Sequence, residues 1–158
     1  MKRFIVTGGY GFIGSNLIFM LLKKKFKVLN IDNLSYAARK FDLSSINKKY
    51  YEFKKNDINN KKELIKIFNK FKPDGIFNLA ADTHVDRSID NSYNFIKNNI
   101  LGVYNLLEAI KCQKRKIRLV HISTDEVYGD ILGSKRSHEN YPYIPSSPYS
   151  ASKAASDH

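Results

Sequence analysis

The residue order that most constrains this chain is a short apolar run, Phe4-Ile5-Val6, ending in Thr7-Gly8-Gly9-Tyr10-Gly11-Phe12-Ile13-Gly14. Apolar residues then recur at Ile13, Leu17, Ile18, Leu21 and Leu22, the spacing of one helix face. Strand, glycine turn and helix in that order leave few folds open. Gly8 can turn the chain, Gly11 can let backbone approach a pyrophosphate, and Gly14 can let helix pack on strand. Free N–H groups at the helix start would receive the phosphates. A glycine pattern alone is a tight turn, so the context has to carry the reading.

The context is a series of strands and helices in alternation. Val28, Leu29 and Ile31 form a second strand ending in Asp32, where a carboxylate can bond both hydroxyls of an adenosine ribose. It would repel a 2′-phosphate, and the next arginine, Arg39, does not adjoin it, so the expected cofactor is NAD rather than NADP. Tyr50, Tyr51 and Phe53 make a third strand. Leu64, Ile65, Ile67, Phe68 and Phe71 then follow at helical spacing, and Pro73-Asp74-Gly75 is read as the stop. Residues 76–79 are a fourth strand, opening into Ala80-Ala81-Asp82-Thr83-His84, where small side chains let a dinucleotide lie close. His84 has no second histidine or cysteine nearby and reads as structural or substrate-contacting, with no metal site. Residues 98–112 are expected to form one long amphipathic helix whose spare apolar surface faces the sheet or a partner subunit. The fifth strand, 117–122, is read as buried. The fold class is therefore α/β, a Rossmann-type doubly wound parallel sheet.

Two further stretches carry chemistry. Ser123-Thr124-Asp125-Glu126 follows the fifth strand, and open α/β sheets hold ligands at the carboxyl ends of their strands. Ser147 can cap a helix with Pro148 in its first turn, placing Tyr149 and Lys153 on one helical face. A free phenol, with a pKa of about 10, is a poor base at neutral pH. The Lys153 ammonium and the positive helix end are expected to favour the phenolate, making Tyr149 a base for a hydroxyl proton as hydride leaves the same carbon.

Totals exclude several classes. The 158 residues suit one domain with a core. No run approaches the ~18 apolar residues of a membrane span. The amino end passes from Lys2-Arg3 straight into the first strand without a secretory signal, and the single Cys112 suits a reducing cytoplasm. The net charge of +12 comes from short basic runs scattered over helix ends and loops, which read as solvated faces rather than a nucleic-acid surface. A positive field also favours a diphosphate ligand.

The blocks TGGYGFIGS, NLAADTHVDRS, HISTDEVYGD and PSSPYSASKAASDH together resemble the extended short-chain dehydrogenase/reductases, and within them the nucleotide-sugar 4,6-dehydratases acting on dTDP-glucose. The Asp125-Glu126 pair separates these from sugar-nucleotide epimerases and decarboxylases, which share the glycine loop and Tyr-x-x-x-Lys. The resemblance implies the following chemistry. C4 of the glucose is oxidised with Tyr149 as base, Lys153 beside it and Thr124 holding the C4 hydroxyl; Glu126 then takes the C5 proton, and Asp125 protonates the departing C6 hydroxyl. For the acid role, the Asp125 pKa has to be raised by burial or by Glu126. Carried over by position, the cofactor residues are Gly8, Gly11, Phe12, Ile13, Gly14, Asp32, Asn33, Leu34, Ser35, Asp57, Ile58, Leu79, Ala80, Ala81, Asp82, Thr83, Asn98, Tyr149 and Lys153, with Thr83 also touching substrate. Asn98, Thr83 and Val103 stand where the family commonly has threonine, a smaller residue and threonine.

Family members are longer, so the resemblance further implies that 1–158 is an incomplete NAD-binding domain, truncated before the last strands and the sugar-nucleotide lobe. It also implies a homodimer through the long helix and the Tyr149 helix. Other readings stay open: a non-catalytic NAD-binding half-domain, a related epimerase, a UDP-glucose 4,6-dehydratase and, less favoured, a nucleic-acid binder.

Overall fold

A computed structural model describes residues 1–39, 49–131, 133 and 136–158. The chain divides into two units, Met1–Ala80 with Asn105–Ile122 and Ala81–Tyr104 with Ser123–His158. No helix among the described residues is long and apolar enough to cross a membrane.

The first unit is built on five parallel strands: β1 (Arg3–Thr7), β2 (Lys27–Asp32), β3 (Tyr51–Lys55), β4 (Gly75–Asn78) and β5 (Arg118–His121), in the order β3-β2-β1-β4-β5. Helix α1 (Phe12–Lys23) joins β1 to β2, and α2 (Lys61–Phe71) joins β3 to β4. Side chains alternate across the sheet, so the three inner strands β1, β2 and β4 feed two cores. Ile5, Leu29, Ile31 and Ile76 face Leu64, Ile67, Phe68 and Phe71 of α2. Val6, Val28 and Tyr51 face Ile18 and Leu21 of α1 on the other side. Burial on both faces explains why β1, β2 and β4 read as largely apolar runs. Full burial of a side chain such as Leu64 or Phe68 stabilises by about 1.5–3 kcal/mol.

Chain order reverses between β1 and β4, the point at which open α/β sheets hold ligands. Thr7 Oγ1 donates to Asn78 Oδ1 at 2.5 Å and accepts from Ala80 N at 3.3 Å, while Asn78 Nδ2 lies 2.9 Å from His121 Nδ1. These polar side chains fasten the carboxyl ends of three neighbouring strands.

Two expectations for this unit need correction. The helix stop after Phe71 is Lys72, a non-glycine residue in the left-handed region (φ 52°) whose N–H bonds back to Phe68 O; Gly75 already belongs to β4. The fifth strand is not buried. Among the described residues it pairs with β4 at one end of the strand order, its residues alternate between exposed and half-buried, and Val120 is 39% exposed.

The second unit holds α3 (Val85–Asp90), the short α4 (Tyr93–Phe95), a π-helical segment (Ile96–Leu101), a 3-10 turn (Asp125–Tyr128) and α6 (Pro148–Asp157), with the opening residues of α5 (Gly102–Lys111). The helix expected to be continuous over 98–112 is thus α-helical only from Gly102. The wider π winding accompanies a buried polar side chain, Asn99, whose Oδ1 accepts from Asp82 N at 2.8 Å. Its Nδ2 donates to Asp82 O and to Ser152 Oγ, both at 2.9 Å. Helix α6 starts as expected: Ser147 is its N-cap, accepting from Ser150 N at 3.0 Å, Ser150 Oγ accepts in return from Ser147 N, and Pro148 opens the first turn.

Candidate active site

In the first unit the turn after β1 is shaped by its glycines. Gly8 has φ +68°, and a Cβ there would lie 2.8 Å from Ala80 N and 2.9 Å from Leu79 C. A Cβ on Gly14 would strike the Gly8 carbonyl oxygen and lie 2.8 Å from Gly9 Cα, so helix and turn touch backbone to backbone. A Cβ on Gly11 meets only Gly8 O, at 3.2 Å, among described atoms. Gly11 is the N-cap of α1 and offers no side chain to its free N–H groups; the first turn carries no acidic residue, and Phe12 and Ile13 are exposed. An uncapped helix start with free N–H groups is suited to an anion.

Asp32 closes β2 and is buried. Its Oδ2 accepts from Tyr10 N at 2.9 Å, tying it to the glycine turn, and its Oδ1 accepts from Leu34 N at 2.8 Å. Each oxygen keeps lone-pair capacity for a hydroxyl. Leu34 sits at φ 62° and Asn33 Oδ1 accepts from Ser35 N, so 32–35 is a tight turn. After β3, Asp57 Oδ1 accepts from Asn59 N and Nδ2, and Ile58 is buried beside it. Leu79 and Ala80 leave β4 close to Gly8. A helix start with free N–H groups and a buried carboxylate at adjacent strand ends have the chemistry a dinucleotide needs.

The second unit gathers Thr124, Asp125, Glu126, Tyr149 and Lys153. Tyr149 (7% exposed) and Lys153 (2%) lie on the inner face of α6. Tyr149 N donates to Ser88 Oγ at 3.1 Å, Ser152 Oγ donates to Tyr149 O at 2.7 Å, and the Phe95 ring meets the Tyr149 ring edge-on at 6.3 Å. Thr124 caps the 3-10 turn, accepting from Glu126 N at 3.3 Å. Burial pushes the Tyr149 phenol above its usual range; the Thr124 hydroxyl opposes this, and the charges of Glu126 and Asp125 add to it. Burial likewise depresses Lys153, with Asp157 opposing.

The balance expected at Tyr149 is therefore reversed in this chain: desolvation outweighs the groups that favour phenolate. Asp125 and Glu126 are exposed, so the burial invoked for the acid is not present. Asp82 and Asn98 are joined, Asn98 Nδ2 donating to Asp82 Oδ2 at 2.6 Å, beside half-buried Ala81; Thr83 and His84 are exposed. Asn99, Ser88 and Ser152, which hold this loop and Tyr149 in place, were not singled out. The signal available for them was small polar residues flanking recognisable motifs. In the first unit Thr7 and Asn78 were missed in the same way, as single polar residues at the ends of apolar runs.

Comparison with known proteins agrees with this geometry. Residues 5–158 match the family described as GDP-mannose 4,6 dehydratase. A dTDP-glucose 4,6-dehydratase of Haemophilus influenzae is 47% identical, covering 100% of this chain and 50% of that protein. DesIV, a dTDP-glucose 4,6-dehydratase of Streptomyces venezuelae solved with NAD and TYD bound, superposes with a TM-score of 0.90 at 37% identity, over 99% of this chain and 49% of its own. A UDP-glucose 4-epimerase of Thermus thermophilus in complex with NAD gives 0.88 at 34%, with coverage of 99% and 49%. The chain spans about half the length of the curated relatives it matches. With its parallel sheet, glycine turn and tyrosine-lysine helix accounted for, the chain belongs to the family described as GDP-mannose 4,6 dehydratase, and its relatives include the dTDP-glucose 4,6-dehydratases that its sequence resembles.

Proposed function

We propose that this chain is the NAD-binding and catalytic half of a nucleoside-diphosphate-glucose 4,6-dehydratase acting on dTDP-glucose. The carrying observation is the gathering of Thr124, Asp125, Glu126, Tyr149 and Lys153 in one unit. Residues 1–158 are then an incomplete Rossmann domain, and the sugar-nucleotide lobe corresponds to the half of the relatives that this chain does not span.

The uncapped start of α1 holds the pyrophosphate through backbone N–H groups, Asp32 takes the adenosine ribose hydroxyls, and Asp57 and Ile58 receive the adenine. NAD, when bound, would supply the hydride acceptor for oxidation at C4 and the hydride donor for reduction at C6. Thr124 holds the C4 hydroxyl and Tyr149 removes its proton; Lys153 stabilises the phenolate, which this chain's burial alone disfavours. The resulting ketone acidifies the C5 proton, which Glu126 removes. Asp125 protonates the C6 hydroxyl as it leaves as water, giving the 4-keto-6-deoxy sugar. Tyr93, Ile96, Leu101 and Tyr104 are exposed apolar positions suited to pairing two copies. A single, exposed Cys112 suits a reducing cytoplasm.

The test joins this chain to the remaining half of the Haemophilus influenzae relative and incubates the chimera with NAD and either dTDP-glucose or UDP-glucose in deuterated water. A dTDP-4-keto-6-deoxy product carrying deuterium at C5 is expected. Inversion at C4 without loss of water would assign an epimerase, and NAD binding without turnover a binding half-domain.

A further inference from the structure

Asp157 lies four residues beyond Lys153 in the last turn of α6, where a negative charge opposes the helix dipole. Local helix energetics therefore give no reason for a carboxylate there; its partners do. Ser123 Oγ donates to Asp157 Oδ2, and Tyr143 OH donates to the same oxygen at 3.1 Å. Ser123 immediately precedes Thr124. Tyr143 immediately precedes Ile144, whose N–H donates to Val127 O at 3.0 Å in the 3-10 turn. The Tyr143 ring also meets Tyr128 edge-on at 5.4 Å. One carboxylate oxygen thus holds both strands of backbone that flank the Thr124-Asp125-Glu126 turn, and does so from the helix that carries Tyr149 and Lys153.

We propose that Asp157 is a positioning residue: by accepting the Ser123 and Tyr143 hydroxyls, it fixes the turn bearing Thr124, Asp125 and Glu126 against the Tyr149–Lys153 helix. The catalytic consequence rests on the dehydratase reading above; the structural linkage does not. Two side observations agree. The Asp157 charge also offsets the desolvation of Lys153. Gly129, at φ +75°, lets the 143–144 segment close on the turn, since a Cβ there would strike the Ile144 carbonyl.

Hydrogen–deuterium exchange of the 158-residue chain tests the linkage without any activity. In Asp157→Ala, the amides of Glu126, Gly129 and Ile144 are expected to exchange on the order of tenfold faster while those of β1 and β2 stay within twofold of the parent. Asp157→Asn, which keeps an acceptor oxygen, recovers most of the protection. If Asp157→Ala does not fold, Ser123→Ala and Tyr143→Phe each remove one hydroxyl and are expected to loosen the same amides. Unchanged exchange at the turn, or equal acceleration throughout the chain, overturns the proposal. In the chimera, Asp157→Ala is expected to lower kcat about tenfold with KM within twofold, and the Ser123→Ala/Asp157→Ala double variant to be no slower than Asp157→Ala alone. Additive losses, or a change confined to KM, overturn it as well. An inactive parent chimera would instead count against the dehydratase reading and leaves the exchange result as the deciding one.

Discussion

Replacing Gly8 with alanine separates two costs that the glycine turn imposes. The left-handed backbone (φ +68°) strains any residue with a Cβ, by about 1–3 kcal/mol. The added Cβ would also lie 2.8 Å from Ala80 N, 2.9 Å from Ala80 Cα and 2.9 Å from Leu79 C. These are backbone atoms that cannot rotate aside: Leu79 N donates to Thr7 O at 3.2 Å, Ala80 N donates to Thr7 Oγ1 at 3.3 Å, and Gly8 N itself donates to Ile31 O at 2.9 Å. Forcing a methyl group into that contact costs about 1–3 kcal/mol more, offset by at most about 1 kcal/mol from the stiffer unfolded chain. The net loss, about 1–6 kcal/mol, corresponds at about 2–4 °C per kcal/mol to a drop in thermal midpoint of about 2–24 °C. Gly133 supplies the control, since its φ is +72° but a Cβ there meets no described atom within 4 Å. Gly133→Ala therefore carries the strain with no overlap among the described atoms. Thermal unfolding followed by circular dichroism should place the Gly8→Ala midpoint well below that of Gly133→Ala. Coincident midpoints would refute the argument that contact with the end of β4 enforces glycine at position 8.

Other consequences can be measured on the same material. Asp32→Ala leaves Tyr10 N and Leu34 N without their acceptor, so NAD affinity by calorimetry should fall at least about tenfold and stability by about 1–3 kcal/mol. Native-like NAD binding by this variant would remove Asp32 from the cofactor site. Glu126→Gln and Asp125→Asn in the chimera should each cut product formation by about 10²–10⁴-fold while C4 oxidation persists, seen as NADH absorbance that does not decay. Burial raises the Tyr149 phenol, so the stability linked to it is intact below the unfolded value of about 10 and is lost as pH rises through the folded value. Tyr149→Phe should flatten part of that alkaline decline in thermal midpoint; the rest belongs to Tyr51 and Tyr143, whose pKa values are raised by burial in the same direction. Lys153 has the opposite sign: its folded pKa is depressed, so its buried charge costs stability as pH falls through that value. Lys153→Met should therefore raise the midpoint near neutral pH while the chimera loses about 10²-fold or more in kcat, and a lowered midpoint would contradict the desolvation argument.

The sequence by itself determined those features whose cause lies within a few residues. Apolar runs at 4–6, 28–31 and 76–79 specify strands buried on both faces. The triplet of glycines gives a backbone that turns, opens and packs, and Ser147-Pro148 starts the helix that puts Tyr149 and Lys153 on one side. What only the tertiary structure decided depends on atoms distant in the chain. The fifth strand, at the end of the strand order, is half exposed although its residues 117–122 read as an apolar run. The helix after Tyr93 has an α-helical pattern, yet its first part is π-wound around Asn99, whose partners Asp82 and Ser152 lie on other elements. Tyr149 was identified by its spacing to Lys153, but spacing carries no information about desolvation, which dominates its ionisation. Asp157 passed unremarked for the same reason: only folding brings Ser123 and Tyr143 to its carboxylate.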